Sequence, residues 1–411
     1  MTSIDYPRLR YLEAHPHQEQ GKTYVILRDP TQVSEQMLIV SPEFLGLLPL
    51  FDGRHSLLDI QAELTKRFGR IFFGEELREI IDRLDQVHFL ESDSFKEFHA
   101  RLLGDFAAAK VRSPHHAGSA YPSEAGELFD AVSAFYLHPE GAGTPQAGTG
   151  GAVRALVAPH IDLRSGGPVY THAYRALAEG PPPDLFVIMG TGHMGLPQMF
   201  SISPKDFETP LGVSPVDLEF LESVKTHLGE PLFREDLSHR HEHTIEFQLV
   251  FLHHLFRLAP PRILPILCSF SYADLQPGAK SPYREWFARF VEAFRMAQQE
   301  TGRRICFIAS VDFAHMGPRY GDSFEPDGTL VRDVKRKDLD MLRSILSIDP
   351  GGFLEYIASE QDQRRICGFP ALYTLLHLLN DEKGRLLSHS HTVMDPTGSF
   401  VTYASAVFEQ G

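Results

Sequence analysis

Residues 155–162 read ALVAPHID, an apolar run that a proline, a histidine and an aspartate follow closely. An apolar run that a histidine follows within a few residues recurs in residues 185–193, LFVIMGTGH, and in residues 305–315, ICFIASVDFAH. Short, nearly continuous apolar runs are typical of strands that are buried on both faces of a sheet. Because helical patterns separate these runs, we predict an α/β domain over residues 112–411, with a central mixed or parallel sheet flanked by helices.

A histidine follows the end of each of the three runs within a few residues: His160, His193 and His315. In open α/β sheets the ligand crevice lies outside the carboxyl ends of the strands, so these side chains are expected to converge. A single histidine in such a place is usually a surface or core residue, but three at equivalent strand ends favour a metal or proton-transfer site. The glycines around His193 fit a loop whose backbone approaches a ligand closely.

Cys367 lies in RRICGFP, residues 364–370, directly before a helical run. A cysteine at a helix start with two arginines nearby is expected to have a lowered pKa, which favours the thiolate that binds metals or attacks as a nucleophile. Cys268 and Cys306 lie in buried strand runs and are expected to fill the core. Three cysteines are too few for a disulfide framework.

Residues 238–249 read SHRHEHTIEFQL and are rich in histidine. The metalloprotease pattern H-E-x-x-H fails because Ile245 occupies the place of its second histidine, so a zincin is excluded. His243 and Glu246 are one helical turn apart, and we expect them to project to the same point as acid–base groups or as partners that orient a ligand. His239 and His241 are expected to be solvated loop residues.

Residues 1–105 differ in composition from the rest of the chain. They are rich in Leu, Glu and Arg and contain almost no strand-like runs separated by glycines. Ser56 is predicted to cap a helix that stops at Gly69, residues 75–87 form a second amphipathic helix, and residues 89–91 form a short strand. With the short apolar run that Ser41-Pro42-Glu43 opens and that extends to Phe51, three helices and a strand suggest a small winged-helix-like domain. Its second helix carries more acids than bases, which disfavours DNA binding. Packing or dimerisation and recognition of a partner both remain open as its role.

The whole chain has 39 Lys and Arg against 54 Asp and Glu, a net charge of −15. This balance disfavours nucleic-acid binding, which depends on basic residues that neutralise phosphates. No apolar run approaches the roughly 20 residues that span a bilayer, and residues 1–20 lack the apolar core of a signal peptide. We therefore expect a cytoplasmic protein that has no membrane partner.

Several motifs together resemble the Memo family, also met as protein B of the AmmeMemoRadiSam system. The motifs that carry the resemblance are HAGSAYP (116–122), APH (158–160), GTGH (190–193), TPLG (209–212), EHTIEFQ (242–248), SVDFAH (310–315) and ICG (366–368). The family shares its fold with the class III extradiol (LigB-type) dioxygenases, so the resemblance implies a LigB/Memo-like fold. The N-terminal run resembles PqqD-like modules, winged-helix folds that bind a peptide at the edge of their sheet.

For the site, the resemblance implies a mononuclear metal centre formed by His160, His193 and Cys367. It implies one metal ion per chain, with Fe(II) favoured and Cu or Zn also compatible. The related dioxygenases hold Fe(II) with two histidines and a carboxylate, and here a softer thiolate replaces the carboxylate, so catechol cleavage is not directly inherited.

The resemblance also places His243, Asp312 and His315 in the pocket, as catalytic groups that orient the metal or transfer protons. It implies a non-heme, dioxygenase-like redox enzyme that works with a radical-SAM system. The alternatives are a non-catalytic adaptor that handles a metal or binds a peptide or partner, and a zinc-dependent hydrolase or lyase. The implied partners are radical-SAM and AMMECR1-like proteins, or a peptide bound by the N-terminal module.

Two stretches of the sequence depart from the family's pattern. Asp162 and Arg164 lie where the family commonly has Ala-Gly-Tyr after the first histidine, and Met316 replaces a tyrosine. The charged pair either contacts a polar or peptide substrate or forms a local ion pair that closes the loop.

Overall fold

The computed structural model describes residues 4–19, 21–69, 73–196, 198–229, 237–276, 278 and 283–410. It divides the chain into two compact units, residues 1–108 and residues 109–411. Within the described residues, no helix is both long enough and apolar enough to cross a membrane.

The N-terminal unit combines a small antiparallel sheet with helices. Its strands, paired in the order β1-β2-β3, are β1 (Glu13–Glu19), β2 (Lys22–Arg28) and β3 (Met37–Val40). Two short 3-10 helices follow at Pro42–Gly46 and Leu48–Leu50. The α-helices are α1 (Leu57–Phe68), α2 (Gly74–Gln86) and α3 (Asp93–Ala108). The core of this unit forms where the sheet and helices pack together, around residues such as Leu27, Ile60, Leu77 and Phe89.

The predicted limits of α1 are confirmed. The Ser56 side chain accepts a hydrogen bond from the backbone N–H of Asp59, whose carboxylate accepts one in return from the N–H of Ser56. Gly69 ends the helix in the left-handed conformation at φ 67°. The three strands before residue 41 were not predicted, although Val25 and Leu27 show the buried alternation of a strand. The predicted strand at residues 89–91 is only an isolated bridge between Leu9 and Leu90.

The C-terminal unit is α/β, as predicted. Its strands are β4 (Val111–Arg112), β5 (Val153–Ala158), β6 (Leu185–Thr191), β7 (Phe200–Ile202), β8 (Asp206–Thr209), β9 (Gly212–Ser214), β10 (Ile263–Cys268), β11 (Ile305–Ser310), β12 (His315–Met316), β13 (Lys383–Val393) and β14 (Phe400–Glu409). Its helices are α4 (Ala125–Leu137), α5 (Leu163–Glu179), α6 (Leu218–Leu228), α7 (Ser238–His241), α8 (His243–Leu255), α9 (Tyr272–Leu275), α10 (Tyr283–Thr301), α11 (Gly328–Leu346), α12 (Pro350–Ser359) and α13 (Phe369–Leu378), with a 3-10 helix at Pro318–Tyr320.

Eight strands form the main sheet in the order β12-β14-β5-β11-β6-β10-β7, with β13 paired to the far side of β14. The central strands β5, β11, β6 and β10 are parallel, and β7, β12, β13 and β14 pair with their neighbours in antiparallel fashion. The sheet is therefore mixed. A second small sheet has the order β4-β8-β9.

Strands β6, β10 and β11 are buried along their whole length, which explains their nearly unbroken apolar sequences. Cys268 and Cys306 are fully buried core residues, as predicted. The parallel register pairs Ala158 with Ser310 and Ser310 with Gly190, so the three strands end at the same edge of the sheet. The residues that follow each strand are brought together there.

Candidate metal centre

Three histidine side chains converge at the carboxyl edge of the main sheet. His160 follows β5, His193 follows β6 and His243 begins α8. One ring nitrogen from each lies within 4.8 Å of the others. The ring centroids of His160 and His193 are 5.0 Å apart, and the rings of His193 and His243 stack at the same separation. This arrangement is a group that could hold a metal ion.

Hydrogen bonds fix which nitrogen His160 presents. Its Nδ1 lies 2.9 Å from the carbonyl oxygen of Ser310. A carbonyl only accepts, so Nδ1 carries the proton and the lone pair of Nε2 faces the other histidines. This is the pattern of histidines that bind metals, whose second nitrogen donates to a carbonyl or carboxylate.

Glu242 performs the same task for the other two histidines. Its buried carboxylate lies 3.2 Å from Nδ1 of His193 and 3.1 Å from Nδ1 of His243. It also accepts backbone N–H bonds from both residues and caps α8. Burial alone would raise the pKa of Glu242, but the charges of His193 and His243 outweigh it, and the pKa lies well below its usual value.

Glu242 was not predicted as a site residue, because in the sequence it stood out only as part of the zincin pattern, which fails. Its position directly before His243, at the start of a helix that follows a histidine-rich turn, was the available signal.

Cys367 lies against the histidine group, one residue before the N-cap of α13. Its Sγ is 3.3 Å from Nε2 of His160, and Thr191 donates to its carbonyl oxygen at 3.0 Å. The expected lowering of its pKa is wrong, because burial raises the pKa of this thiol. Arg364 and Arg365 do not offset the burial, since their guanidinium groups pair with carboxylates elsewhere.

Asp312 also lies at the site. Its Oδ1 accepts from the backbone N–H of His160 at 3.0 Å, and its Oδ2 is 3.7 Å from Nε2 of that residue. Burial raises the pKa of Asp312 to about 7. His315 lies beside the group rather than in it. Its Nδ1 donates to the carbonyls of Phe313 and Arg365, and burial lowers its pKa to about 4.

Glu246 does not share a point with His243, contrary to expectation. Its buried carboxylate pairs with the guanidinium of Arg112 and accepts from the hydroxyl of Tyr121 and the backbone N–H groups of His115 and His116. The carboxylate is fully occupied by these donors. It joins β4 and the HAGSAYP loop to α8 and does not point toward the three histidines.

The expectation that His239 and His241 are solvated is wrong. Both lie in α7 and are buried, and Nε2 of His239 is 3.1 Å from the carbonyl oxygen of Ser201. His253 of α8 is hydrogen-bonded between the hydroxyls of Thr209 and Ser214. Its role is structural.

Asp162 and Arg164 form a local ion pair, with Nη2 of Arg164 2.6 Å from Oδ2 of Asp162. The carboxylate of Asp162 also caps α5. Arg164 borders an open, mainly apolar cavity of about 470 Å³ between residues 118–122, α4 and the start of α5. A second open cavity of about 350 Å³ is lined by Thr191, Cys367 and Tyr272, among others, and adjoins the metal-binding group.

The residues at the centre fit a transition metal. Three imidazoles whose outer nitrogens are engaged, together with one thiol, offer a set of nitrogen and sulfur donors that suits Fe, Cu or Zn. Of the residues singled out from the sequence, the structure brings His160, His193, His243, Asp312 and Cys367 together. Their roles remain predictions.

Comparison with known proteins agrees with the sequence motifs. The family model described as "Memo-like protein" matches residues 112–407. A MEMO1 family protein of Aquifex aeolicus is 30% identical over 411 residues, covering 98% of this chain and 99% of that protein. A MEMO1 family protein of Thermus thermophilus is 29% identical over 354 residues, covering 85% of this chain and 98% of that protein.

A MEMO1 family protein of Pyrococcus furiosus is 33% identical over 254 residues, covering 60% of this chain and 80% of that protein. The similarity to the Aquifex protein includes the N-terminal unit, whereas the family model begins at residue 112. From the family model and these relatives, we conclude that the chain belongs to the Memo family.

Proposed function

We propose that this protein binds one transition-metal ion per chain through His160, His193 and Cys367, with Fe(II) favoured. The observation that carries the proposal is the shared orientation of the histidines. Each has its Nδ1 engaged by a carbonyl or carboxylate, and their free nitrogens converge beside the thiol of Cys367. His243 is placed to serve as a further ligand or to orient the metal.

We further propose a dioxygenase-like redox function for this centre. A redox-active metal bound there would supply Lewis acidity and electron transfer. Asp312, whose Oδ2 lies 3.7 Å from Nε2 of His160, is the carboxyl group nearest to hand for holding or releasing a proton at the centre. His315 and His243 are the other candidates for proton transfer. The open cavity that Thr191 and Cys367 help to line adjoins the centre, and we propose it as the place where a substrate enters.

A metal-handling or partner-binding adaptor is the second candidate function. A specific observation in the N-terminal unit favours it. Strand β3 is an edge of its sheet, and Met37 and Ile39 on this strand are 64% and 59% exposed. An exposed apolar edge strand suits an extended peptide that adds to the sheet. We propose a peptide, or a radical-SAM or AMMECR1-like protein, as the partner at this edge.

Oxygen uptake separates the two candidate functions. Protein reconstituted with Fe²⁺ under anaerobic conditions would be mixed with oxygenated buffer and a panel of aromatic and peptide substrates in an oxygen electrode. The enzyme hypothesis predicts substrate-dependent uptake that His160→Ala abolishes. His172→Ala, a change at a half-buried histidine of α5 whose Nε2 lies 2.9 Å from the carbonyl oxygen of Glu140, should leave uptake unchanged. Tight Fe²⁺ retention without uptake would contradict the enzyme hypothesis and favour the adaptor.

A further inference from the structure

The loop that presents Cys367 has an unusual backbone. It connects α12 to α13, and Gln361, Asp362 and Arg365 have φ angles of 53°, 50° and 54°. None of these residues is glycine, and L-amino acids with a side chain disfavour this left-handed region. Three such residues within five positions of the chain need surroundings that hold them in place.

A buried ion cluster holds the middle of this loop. Arg364 is almost fully buried, and its Nη1 pairs with Oδ1 of Asp338 in α11. The same guanidinium bonds the carboxylate of Glu360, with Nη2 at 2.7 Å and Nε at 2.9 Å. The other oxygen of Asp338 lies 3.1 Å from Nε2 of His389 in β13. Asp338 is fully buried, so it anchors the loop to two elements of the core.

The loop is tied to the metal centre immediately beyond this cluster. The carbonyl of Arg364 accepts from the backbone N–H of His315 at 2.8 Å, and the carbonyl of Arg365 lies 3.2 Å from Nδ1 of the same histidine. On the other side of Cys367, the N–H of Gly368 donates to the carbonyl of Asp312 at 3.2 Å. A shift of Arg364 would therefore be transmitted to the cysteine three residues later.

We propose that Asp338 is a positioning residue of the metal centre, which acts through Arg364 to hold the thiol of Cys367 against His160. The inference rests on the proposed function, because it takes Cys367 as a metal ligand. It assigns a role in metal binding to a carboxylate that belongs to α11 and is not part of the histidine group. Without the Asp338–Arg364 pair, the strained loop relaxes and the sulfur leaves the centre, while the histidines stay in place.

The test uses Co²⁺ alone as a probe, added under anaerobic conditions to the metal-free full-length protein. A thiolate bound to Co²⁺ gives a sulfur-to-metal charge-transfer absorption in the near ultraviolet, which histidine ligands do not give. In the wild type we expect this band. In Asp338→Asn we expect the band to be lost or strongly reduced and the Kd for Co²⁺ to rise about 10- to 100-fold, with the visible bands of histidine-bound cobalt retained.

Two further variants keep the test independent of folding. Asp333→Asn changes an exposed aspartate of the same helix that pairs with Arg336, and it should keep the wild-type band and affinity. Asp338→Asn alone leaves the charge of Arg364 buried, so the double variant Asp338→Asn/Arg364→Gln removes both charges. Thermal melting followed by circular dichroism identifies the variants that are folded.

A folded Asp338 variant with the wild-type band and affinity would overturn the positioning role and leave the proposed metal centre standing. If the wild type itself gives no charge-transfer band, Cys367 is not a ligand, and the proposed centre and the positioning role both fail. Loss of the band in a folded Asp338 variant, with the band kept in Asp333→Asn, supports the inference.

Discussion

Glu242 and Glu246 lie one helical turn apart at the start of the same helix, and both carboxylates are buried. Glu242 accepts from the Nδ1 atoms of His193 and His243, which leaves Nε2 of each ring available to a ligand. Glu246 accepts hydrogen bonds from Arg112, Tyr121 and two backbone N–H groups. These bonds occupy its carboxylate and leave it no part in binding a ligand. Glu242 thus orients side chains of the candidate site, whereas Glu246 stabilises the fold.

The difference lies in the donors rather than in burial. An imidazole that donates from one nitrogen still presents a lone pair on the other, whereas a guanidinium has only donors. The two glutamates are nevertheless connected, because Nη2 of Arg112 donates to the backbone carbonyl of Glu242 at 3.0 Å. The Arg112–Glu246 ion pair therefore also helps to hold the backbone of Glu242 in place.

The largest effect is expected for Glu246→Gln. This change leaves the Arg112 charge buried without a counter-charge, and we expect a loss of about 3–5 kcal/mol in the free energy of unfolding. Denaturant unfolding followed by circular dichroism measures it. A loss below about 1 kcal/mol would show that Glu246 does not carry the structural role assigned here.

The effect of Glu246→Gln should depend on pH. Burial alone would raise the pKa of Glu246, but Arg112 outweighs it, so the pKa in the folded protein lies below the ordinary 4.5. Stabilisation by this carboxylate is then fully present above the ordinary value and is lost as the pH falls through the folded pKa. The difference in stability between wild type and variant should therefore shrink in acid below about pH 4.5.

A smaller effect on stability, but a direct effect on binding, is expected for Glu242→Gln. The amide can still accept the N–H bonds that cap α8, but it no longer provides the negative charge that orients His193 and His243. We expect the affinity for Fe²⁺ or Zn²⁺ to fall about 10- to 100-fold, as measured by competition with a chromophoric chelator. Unchanged affinity in the folded variant would mean that Glu242 is only a helix cap.

The smallest effect is expected for Arg164→Ala. Its ion pair with Asp162 is local, and the arginine side chain is 70% exposed. We expect the free energy of unfolding to change by about 1 kcal/mol or less, with metal affinity unchanged. A large change in metal affinity would place Arg164 in the site and would weaken the distinction between buried and exposed charges.

The convergence of residues at the ends of β5, β6 and β11 could be predicted from the sequence, because a histidine follows each of these apolar runs within a few residues. His160 and His193 were singled out in this way, and Cys367 by its position at the start of a helix and by motif. Glu242 directly precedes His243 and Glu246 follows it by one helical turn, so both are near it in sequence, and only the tertiary partners decide their roles. His239 and His241 were misread because nothing in the local sequence shows that Arg112, about 130 residues away, fixes the backbone around them.

The N-terminal unit shows the opposite pattern. The limits of α1 follow from Ser56, Asp59 and Gly69, whose capping interactions are local in sequence. The three-stranded sheet was missed because its short strands depend on pairing with one another, and only β2 carries clear alternation in burial. Local signals were sufficient for the helix ends, and pairing between separate segments decided the rest.

Metal content, measured by elemental analysis of protein purified anaerobically without added metal, tests the metal centre most directly. The triple variant His160→Ala/His193→Ala/Cys367→Ala, checked for folding, would be analysed in parallel. We predict near-stoichiometric iron, or copper or zinc, in the wild type and its loss in the folded variant. A wild type that holds no metal even after reconstitution, or a variant that retains it, would contradict the assignment of these residues as a metal centre.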